Sequence, residues 1–369
     1  MKKVLHVITG LNDGGAEGVL ARLCVNDHDL QHVVVSLMDG GKYKDLLELK
    51  GIRCLSLNMS RGTFSIRAFI NLVKIIKREK PYIVQTWMYH ADLYGGLAAK
   101  IAGCKNIYWG VRHSNLSAEV NSKKTLLVIK ICSYLSRVVP QKVIYCAEKA
   151  KEVHEDFGYV KSSAVVRNGY DVKRFKLADD KLNTYFDIDK KTPLIGFVAR
   201  WDPQKDHVNL LKATQIVRNV VPNVKCILVG SNCDSNNQEL VNLIEKLGLD
   251  NSIILLGPQD NIPRVMNSLD LHVLSSCGEA FPNVVAEAMA CGTPCVVTDV
   301  GDAKSIVGNT GWVVPVRDSK ALANSILMAI KEKENNAISW QSRRLNCRSR
   351  IVEEFSLPIM ISAFHEVWL

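Results

Sequence analysis

The chain reads as an α/β protein built from two Rossmann-like domains in tandem, each around a parallel sheet. Three observations predict this. Short apolar runs of the strand type recur from end to end. Amphipathic helical stretches alternate with most of them, the pattern of βαβ units rather than hairpins. A polar segment, residues 171–192, divides the series into two sets. At 369 residues the length suits two domains of ordinary size.

In the first set, residues 3–8, 32–37, 83–85, 106–109, 143–145 and 164–166 are expected as strands. In the second set the strands are 194–198, 225–229, 252–256, 271–274, 294–298 and 311–314. Helical periodicity falls between them, for example at 66–80, 207–220 and 239–247. The domains expected are 1–170, a linker 171–192, and 193–354. In open parallel sheets ligands sit beyond the carboxyl ends of the strands, so the cleft between two such domains is the default site.

Bulk composition narrows the class. Apolar residues make up 47% and charged residues 23%, which excludes a disordered chain. No apolar run approaches the roughly 18 residues of a membrane span, and 4–8 is too short for an export signal. The 11 cysteines are odd in number and include no C-x-x-C pair, so reduced thiols in a cytoplasmic protein are expected. Residues 1–170 hold 25 Lys+Arg against 14 Asp+Glu, whereas the remainder is nearly neutral at 22 against 23. A basic first domain suits anionic lipid or a pyrophosphate-bearing acceptor. No zinc finger, helix-turn-helix or RNP-like pattern supports nucleic acid.

The segment Ser275–Pro294 concentrates chemistry. A strand ends at Leu274, a loop carries Glu279, and Pro282 suits the first turn of a helix that Gly292 and Pro294 stop. A helix N-terminus facing the ligand side is a seat for pyrophosphate. Glu287 lies in the second turn, roughly 7 Å beyond Pro282 at 1.5 Å per residue. Carboxylates on both sides of a pyrophosphate could hold hydroxyls of a sugar and of a ribose. The competing reading is a solvated loop glutamate and a surface helix glutamate.

The wording Glu279-Ala280-Phe281-Pro282-Asn283-Val284-Val285-Ala286-Glu287-Ala288-Met289-Ala290 resembles the E-x7-E motif of retaining glycosyltransferases of family 4 (group 1), which have the GT-B fold. Ala280 stands where that motif usually has Gly. Ala199-Arg200-Trp201-Asp202-Pro203-Gln204-Lys205-Asp206 resembles the family's G-R-x-x-x-x-K-G phosphate loop, with Ala199 and Asp206 replacing both glycines. Asp13-Gly14-Gly15-Ala16-Glu17, before a helix expected near Gly18, resembles the G-G-A-E loop. The dinucleotide pattern G-x-G-x-x-G is not met there, which counts against NAD. Residues 167–175 resemble the crossover into the second domain, and 355–369 the last helix that packs back on the first.

The resemblance implies a GT-B enzyme, two Rossmann-like domains facing a central cleft, moving a hexose or N-acetylhexosamine from a nucleotide sugar to a glycan acceptor. UDP is the preferred nucleotide. A lipid-pyrophosphate-linked acceptor of a surface polysaccharide, such as O-antigen or capsule, fits the basic first domain. Arg200 and Lys205 would oppose charge developing on the leaving diphosphate. Glu279 would hold the sugar and Glu287 the ribose. Gly14, Gly15, Gly230, Gly257, Ala280, Phe281, Pro282, Asn283 and Val284 would line the donor.

Two histidines follow expected strand ends, His90 and His113, and family members carry a functional histidine after the latter strand. His113 is therefore expected to touch the transferred sugar or the acceptor. The D-x-D strings Asp27-His28-Asp29 and Asp187-Ile188-Asp189 are misplaced for a GT-A metal site. No metal and no cofactor are expected. The stretches 66–80 and 122–139 are basic and amphipathic. Each could bury its apolar face in its own domain or lie on anionic membrane, and the basic domain as a whole makes peripheral membrane contact plausible. A GT-B nucleotide-sugar epimerase or a phosphorylase-type enzyme would share the fold.

Overall fold

Apolar runs bounded by helices pair side by side in a computed structural model of the protein, which describes residues 1–12, 14–60, 63–117, 121–178, 189 and 191–369. Asp13 and residues 179–188 and 190 of the expected linker, among them Asp187 and Ile188 of the second D-x-D string, lie outside the described residues. The chain divides into two compact units, one of Met1–Gly169 with Leu357–Leu369, the other Tyr170–Ser356.

Among the described residues unit 1 holds seven parallel strands: β1 (Lys3–Ile8), β2 (Gln31–Ser36), β3 (Arg53–Ser56), β4 (Ile83–Trp87), β5 (Ile107–Val111), β6 (Lys142–Tyr145) and β7 (Ser163–Val165). Their order across the sheet is β3-β2-β1-β4-β5-β6-β7. Val4, Leu5, Val7, Val34, Val35, Ile83 and Val84 are fully buried, as strands covered by helices on both faces require. β3 is absent from the sequence-based reading. It is an edge strand, Arg-Cys-Leu-Ser, with no fully buried residue, so it carries no apolar run.

The helix after β1 spans Gly15–Asn26, earlier than expected, because the Gly14 carbonyl already accepts from the Gly18 N–H at 3.0 Å. Helix Ile66–Glu79 starts at Ser65, whose side chain accepts from the Ala68 N–H. The last helix, Leu357–Trp368, places Leu357, Met360, Phe364 and Trp368 on one buried stripe. These join Val4, Ile8, Leu20, Leu23 and Trp87 in one core, so the chain's end completes the sheet domain formed by its beginning. Phe355 and Ser356 belong to unit 2, where Ser356 bridges Tyr170 and the Phe355 carbonyl accepts from the Tyr170 N–H.

A buried polar chain fastens that helix. The Trp87 indole donates to His6 Nδ1 at 3.1 Å, and His6 Nε2 lies 2.9 Å from His32 Nδ1. His32 Nε2 and His365 Nε2 both meet Asp27 Oδ2, at 3.1 and 2.9 Å. Because His6 Nδ1 is an acceptor, its Nε2 carries the proton in the neutral ring. The donor direction then runs from Trp87 through His6 and His32 to the carboxylate. Burial would raise the Asp27 pKa, but the two imidazole donors outweigh it and hold the acid near 2. Asp27 of the first D-x-D string is thereby a structural acid.

Among the described residues unit 2 holds six parallel strands: β8 (Leu194–Val198), β9 (Lys225–Val229), β10 (Ile253–Gly257), β11 (Leu271–Leu274), β12 (Cys295–Thr298) and β13 (Trp312–Val314). Their order is β10-β9-β8-β11-β12-β13. The start of the expected linker is part of this unit. The Arg348 guanidinium donates to the carbonyls of Phe175, Ala290 and Val172, and the Asn267 side chain brackets Lys176 and Ala178. No helix of the described residues is long and apolar enough to cross a membrane. All 11 cysteines are free thiols.

Candidate functional site

Strand order decides where a ligand can sit. In unit 2 the order reverses between β8 and β11, which are paired in parallel. Successive crossovers from such a point run to opposite sides and leave a crevice beyond the carboxyl ends. The loops leaving these two strands carry Arg200 and Lys205 on one side and Ser276 and Glu279 on the other.

The β8 loop is shaped by Asp202. Its side chain accepts from the Gln204 N–H at 2.9 Å and from Arg200 Nε at 3.1 Å, and its carbonyl takes the Lys205 N–H. A 3₁₀ turn, Pro203–Lys205, follows, and Asp206 at φ 47° caps the helix His207–Val220 through the Asn209 N–H. Left-handed backbone here is the conformation that glycine usually supplies, and an Asp tolerates it. The Asp202 carboxyl is depressed: burial raises it, and the Gln204 N–H and Arg200 more than compensate.

The β11 loop is laced to it. The Cys277 N–H donates to the Gln204 carbonyl at 2.8 Å, and the Ser275 hydroxyl to the Lys205 carbonyl at 2.9 Å. Across this seam Lys205 Nζ meets Glu279 Oε1 at 2.5 Å, and the Ser276 hydroxyl donates to the same oxygen at 2.8 Å. Two predicted site residues, 74 positions apart in the chain, thus form one charge-assisted pair. Glu279 is held by lysine and serine, while Arg200 turns to Asp202 with its side chain 60% exposed.

Pro282 is the N-cap, with φ −72° and ψ 96°, so the helix runs Asn283–Ala290 rather than starting at the proline. Asn283 Oδ1 accepts from the Tyr170 hydroxyl at 2.7 Å, and Phe281 is buried with its ring 5.9 Å from that of Phe355. Phe281 and Asn283 therefore tie the helix start to the crossover segments. Ala280 and Val284 stay part-exposed beside them, and Glu287 lies half-buried one turn further.

Two glycines beneath these loops matter. Gly230, at φ 141°, packs so tightly under the β8 loop that a Cβ there would lie 2.3 Å from the Ala199 carbonyl oxygen. Its N–H donates to the Gly257 carbonyl, and Gly257 at φ 62° returns a bond to Cys233. Gly301, which the sequence reading missed, does the same for the β11 loop. A Cβ on it would lie 2.3 Å from the Ala280 oxygen and 2.6 Å from that of Glu279, and the adjacent Asp302 N–H holds the Ala280 carbonyl at 2.9 Å. Its only sequence signal is a glycine three residues past a strand end.

In unit 1 the order reverses between β1 and β4. Gly14 caps the helix after β1 in extended backbone, Gly15 begins that helix, and the Glu17 carboxylate folds back over Gly14. After β4 comes Met88, a non-glycine residue at φ 71°, ψ 157° whose N–H donates to the Gly110 carbonyl at 2.7 Å. Such strain persists where surroundings enforce it, and it gathers at working sites. His90 follows in the first turn of Tyr89–Ile101. His113 lies one strand further out, beyond β5, and its Nδ1 accepts from the Asn115 N–H at 3.2 Å. The neighbouring Arg112 bonds Asn168 at 2.6 Å and stacks over Trp87.

Two Rossmann-like units in tandem give the chain the GT-B fold. Residues 180–344 of this glycosyltransferase match the glycosyl transferases group 1 family. An Escherichia coli UDP-Gal:α-D-GlcNAc-diphosphoundecaprenol α-1,3-galactosyltransferase is 24% identical over 313 residues, 82% of this chain and 79% of that protein. The Staphylococcus aureus capsular polysaccharide glycosyltransferase CapM is 24% identical over 304 residues, 80% and 78% of the two chains. The Anabaena protein HepE, solved in complex with UDP, superposes with a TM-score of 0.86 at 25% identity over 99% of each chain.

Proposed function

We propose that the protein is a retaining, metal-independent transferase of family 4 that moves a hexose or N-acetylhexosamine from a UDP-sugar to a lipid-pyrophosphate-linked glycan. The product would belong to a cell-surface polysaccharide such as O-antigen or capsule. The Lys205–Glu279 pair at the β8/β11 switch point carries the reading. It puts a cation and a fixed carboxylate beside the start of the helix Asn283–Ala290. The UDP bound by HepE and the UDP-Gal and diphosphoundecaprenol named for the E. coli relative support the choice of donor and acceptor.

In this reading unit 2 holds the donor. Lys205, Arg200 and the helix N-terminus face the diphosphate, and their charge does the electrostatic work a divalent ion would do. Glu279, oriented by Ser276, takes sugar hydroxyls, and Glu287 the ribose. Gly230 and Gly257 shape the nucleotide side, and Ala280, Pro282 and Val284 border the diphosphate. Unit 1, with Gly14, Gly15 and His113, receives the acceptor. The bond from the anomeric carbon to the phosphate oxygen breaks as the acceptor hydroxyl adds to the same face. The hydroxyl proton passes to the leaving phosphate oxygen, giving a glycoside and UDP. Work on a lipid-linked acceptor places the protein at the inner face of the cytoplasmic membrane.

Acceptor-dependent UDP release with a panel of UDP-sugars and a prenyl-diphosphate glycan tests this, with product anomeric configuration read by NMR and a chelator control. Retained configuration and chelator-insensitive release are expected. Unchanged turnover in Arg200→Ala or Glu287→Ala would overturn the assignment.

A further inference from the structure

We infer that the helix Lys123–Leu135 of unit 1 is a docking surface for an anionic lipid bilayer. This rests on the membrane location proposed above and assigns it to particular residues. The helix begins at Ser122, whose side chain accepts from the Thr125 N–H. It buries one side: Ile129 and Cys132 are fully covered, and the Cys132 thiol reaches the Tyr89 carbonyl of the neighbouring helix at 3.5 Å.

Its other side is apolar as well. Leu127 is 60% exposed, Ile131 37% and Tyr134 62%, and Val138 in the following turn is 62% exposed. Residues 127, 131 and 134 recur at helical spacing, so they form one ridge instead of scattered positions. A helix that needed only to close its own domain would present polar residues there. Exposed apolar ridges of this kind mark an interaction surface.

The charges around the ridge name the partner. Lys123, Lys124 and Lys130 are exposed on the same helix and Arg137 just beyond it, and residues 121–147 contain no Asp or Glu. Lysines flanking a leucine–isoleucine ridge that ends in a tyrosine is the arrangement of an interfacial helix, with acyl-facing residues at the centre and cations at headgroup level. A protein partner would have to present a wholly acidic apolar face, and unit 2 of a second copy, with near-neutral charge, offers no such complement. The same helical layer also exposes Ile66 and Ile70 at the start of Ile66–Glu79, a helix free of acid until Glu79. The helix Lys123–Leu135 follows the β5 loop that carries His113, so a membrane on this face would meet a lipid-linked acceptor near the carboxyl edge of the unit 1 sheet.

The test is flotation of the full chain with phosphatidylcholine vesicles and with vesicles also containing phosphatidylglycerol, at low and high salt. Binding to the anionic vesicles, weakened by salt, is expected. The variants Leu127→Ser with Ile131→Ser, and Lys123→Glu with Lys130→Glu, should each lower it by on the order of tenfold or more. Circular dichroism, and UDP release with a water-soluble acceptor, should stay unchanged. Failure of the wild type to float with anionic vesicles at low salt would overturn the inference, as would variants that float equally well. So would a wild-type dimer in solution that the serine variant dissolves. Loss of turnover with vesicle binding intact would strike the transferase reading alone.

Discussion

His272 offers a prediction that can be worked through from geometry. It stands in β11, between β8 and β12, and neither ring nitrogen has a hydrogen-bond partner among the described residues. Burial alone lowers its pKa from 6.5 to about 3. In the unfolded chain the imidazole protonates below 6.5, whereas the folded protein keeps it neutral. Stability from this group is therefore complete above pH 6.5 and falls as pH drops toward 3, by about 1.4 kcal/mol per pH unit. At about pH 5 the cost is roughly 2 kcal/mol. His272→Leu removes the titrating group and keeps an apolar side chain beside Phe197. Near neutrality the variant should stay within about 1.5 kcal/mol of wild type. At about pH 5 it should gain roughly 2 kcal/mol relative to that difference, read from urea midpoints at both pH values. His154 and His207, each held near 4 chiefly by burial, contribute acid loss common to both proteins and cancel. Parallel pH profiles for the two proteins would refute the reasoning.

Lys205→Gln and Glu279→Gln should each cut acceptor-dependent UDP release by on the order of a hundredfold or more with the fold intact by circular dichroism, since each removes one charge of the ion pair across the seam between the β8 and β11 loops. Gly301→Ala should lower turnover and cost about 1–3 kcal/mol in thermal unfolding, because its Cβ would enter the Glu279 and Ala280 carbonyls at a φ of 50°. Arg348→Ala strips donors from three carbonyls and should destabilise unit 2 by about 2–4 kcal/mol, measured as a fall in its unfolding midpoint. Asp27 is held near 2 against an ordinary 3.8, so its contribution is present above pH 4 and lost as pH falls through that window. Asp27→Asn should cost about 2 kcal/mol near neutrality, and the gap to wild type should narrow below about pH 4 and close only as pH falls to about 2.

How much of this was legible in the chain follows from what each feature depends on. A buried parallel strand is a local apolar run, so β1, β8 and β11 stand out in the sequence, and strands alternating with helices dictate the two-unit α/β plan. β3 escaped because an edge strand needs no such run. Glu279, Lys205 and Arg200 were visible as residue types at turns, and the group 1 wording made them legible as a set. Their partners were not. Lys205 meets Glu279 only because strand order sets β8 beside β11, and Arg200 turns to Asp202 through the local shape of the β8 loop. Gly301 becomes meaningful only once the loop after β12 passes under Ala280. The amphipathic pattern of residues 122–139 was equally present in the sequence, but periodicity cannot tell which apolar residues find a neighbour. That was decided when Ile129 and Cys132 took the packing against the helix Tyr89–Ile101 and left Leu127, Ile131 and Tyr134 outside. Local pattern is written into the chain, whereas pairing and exposure depend on what lies across the fold.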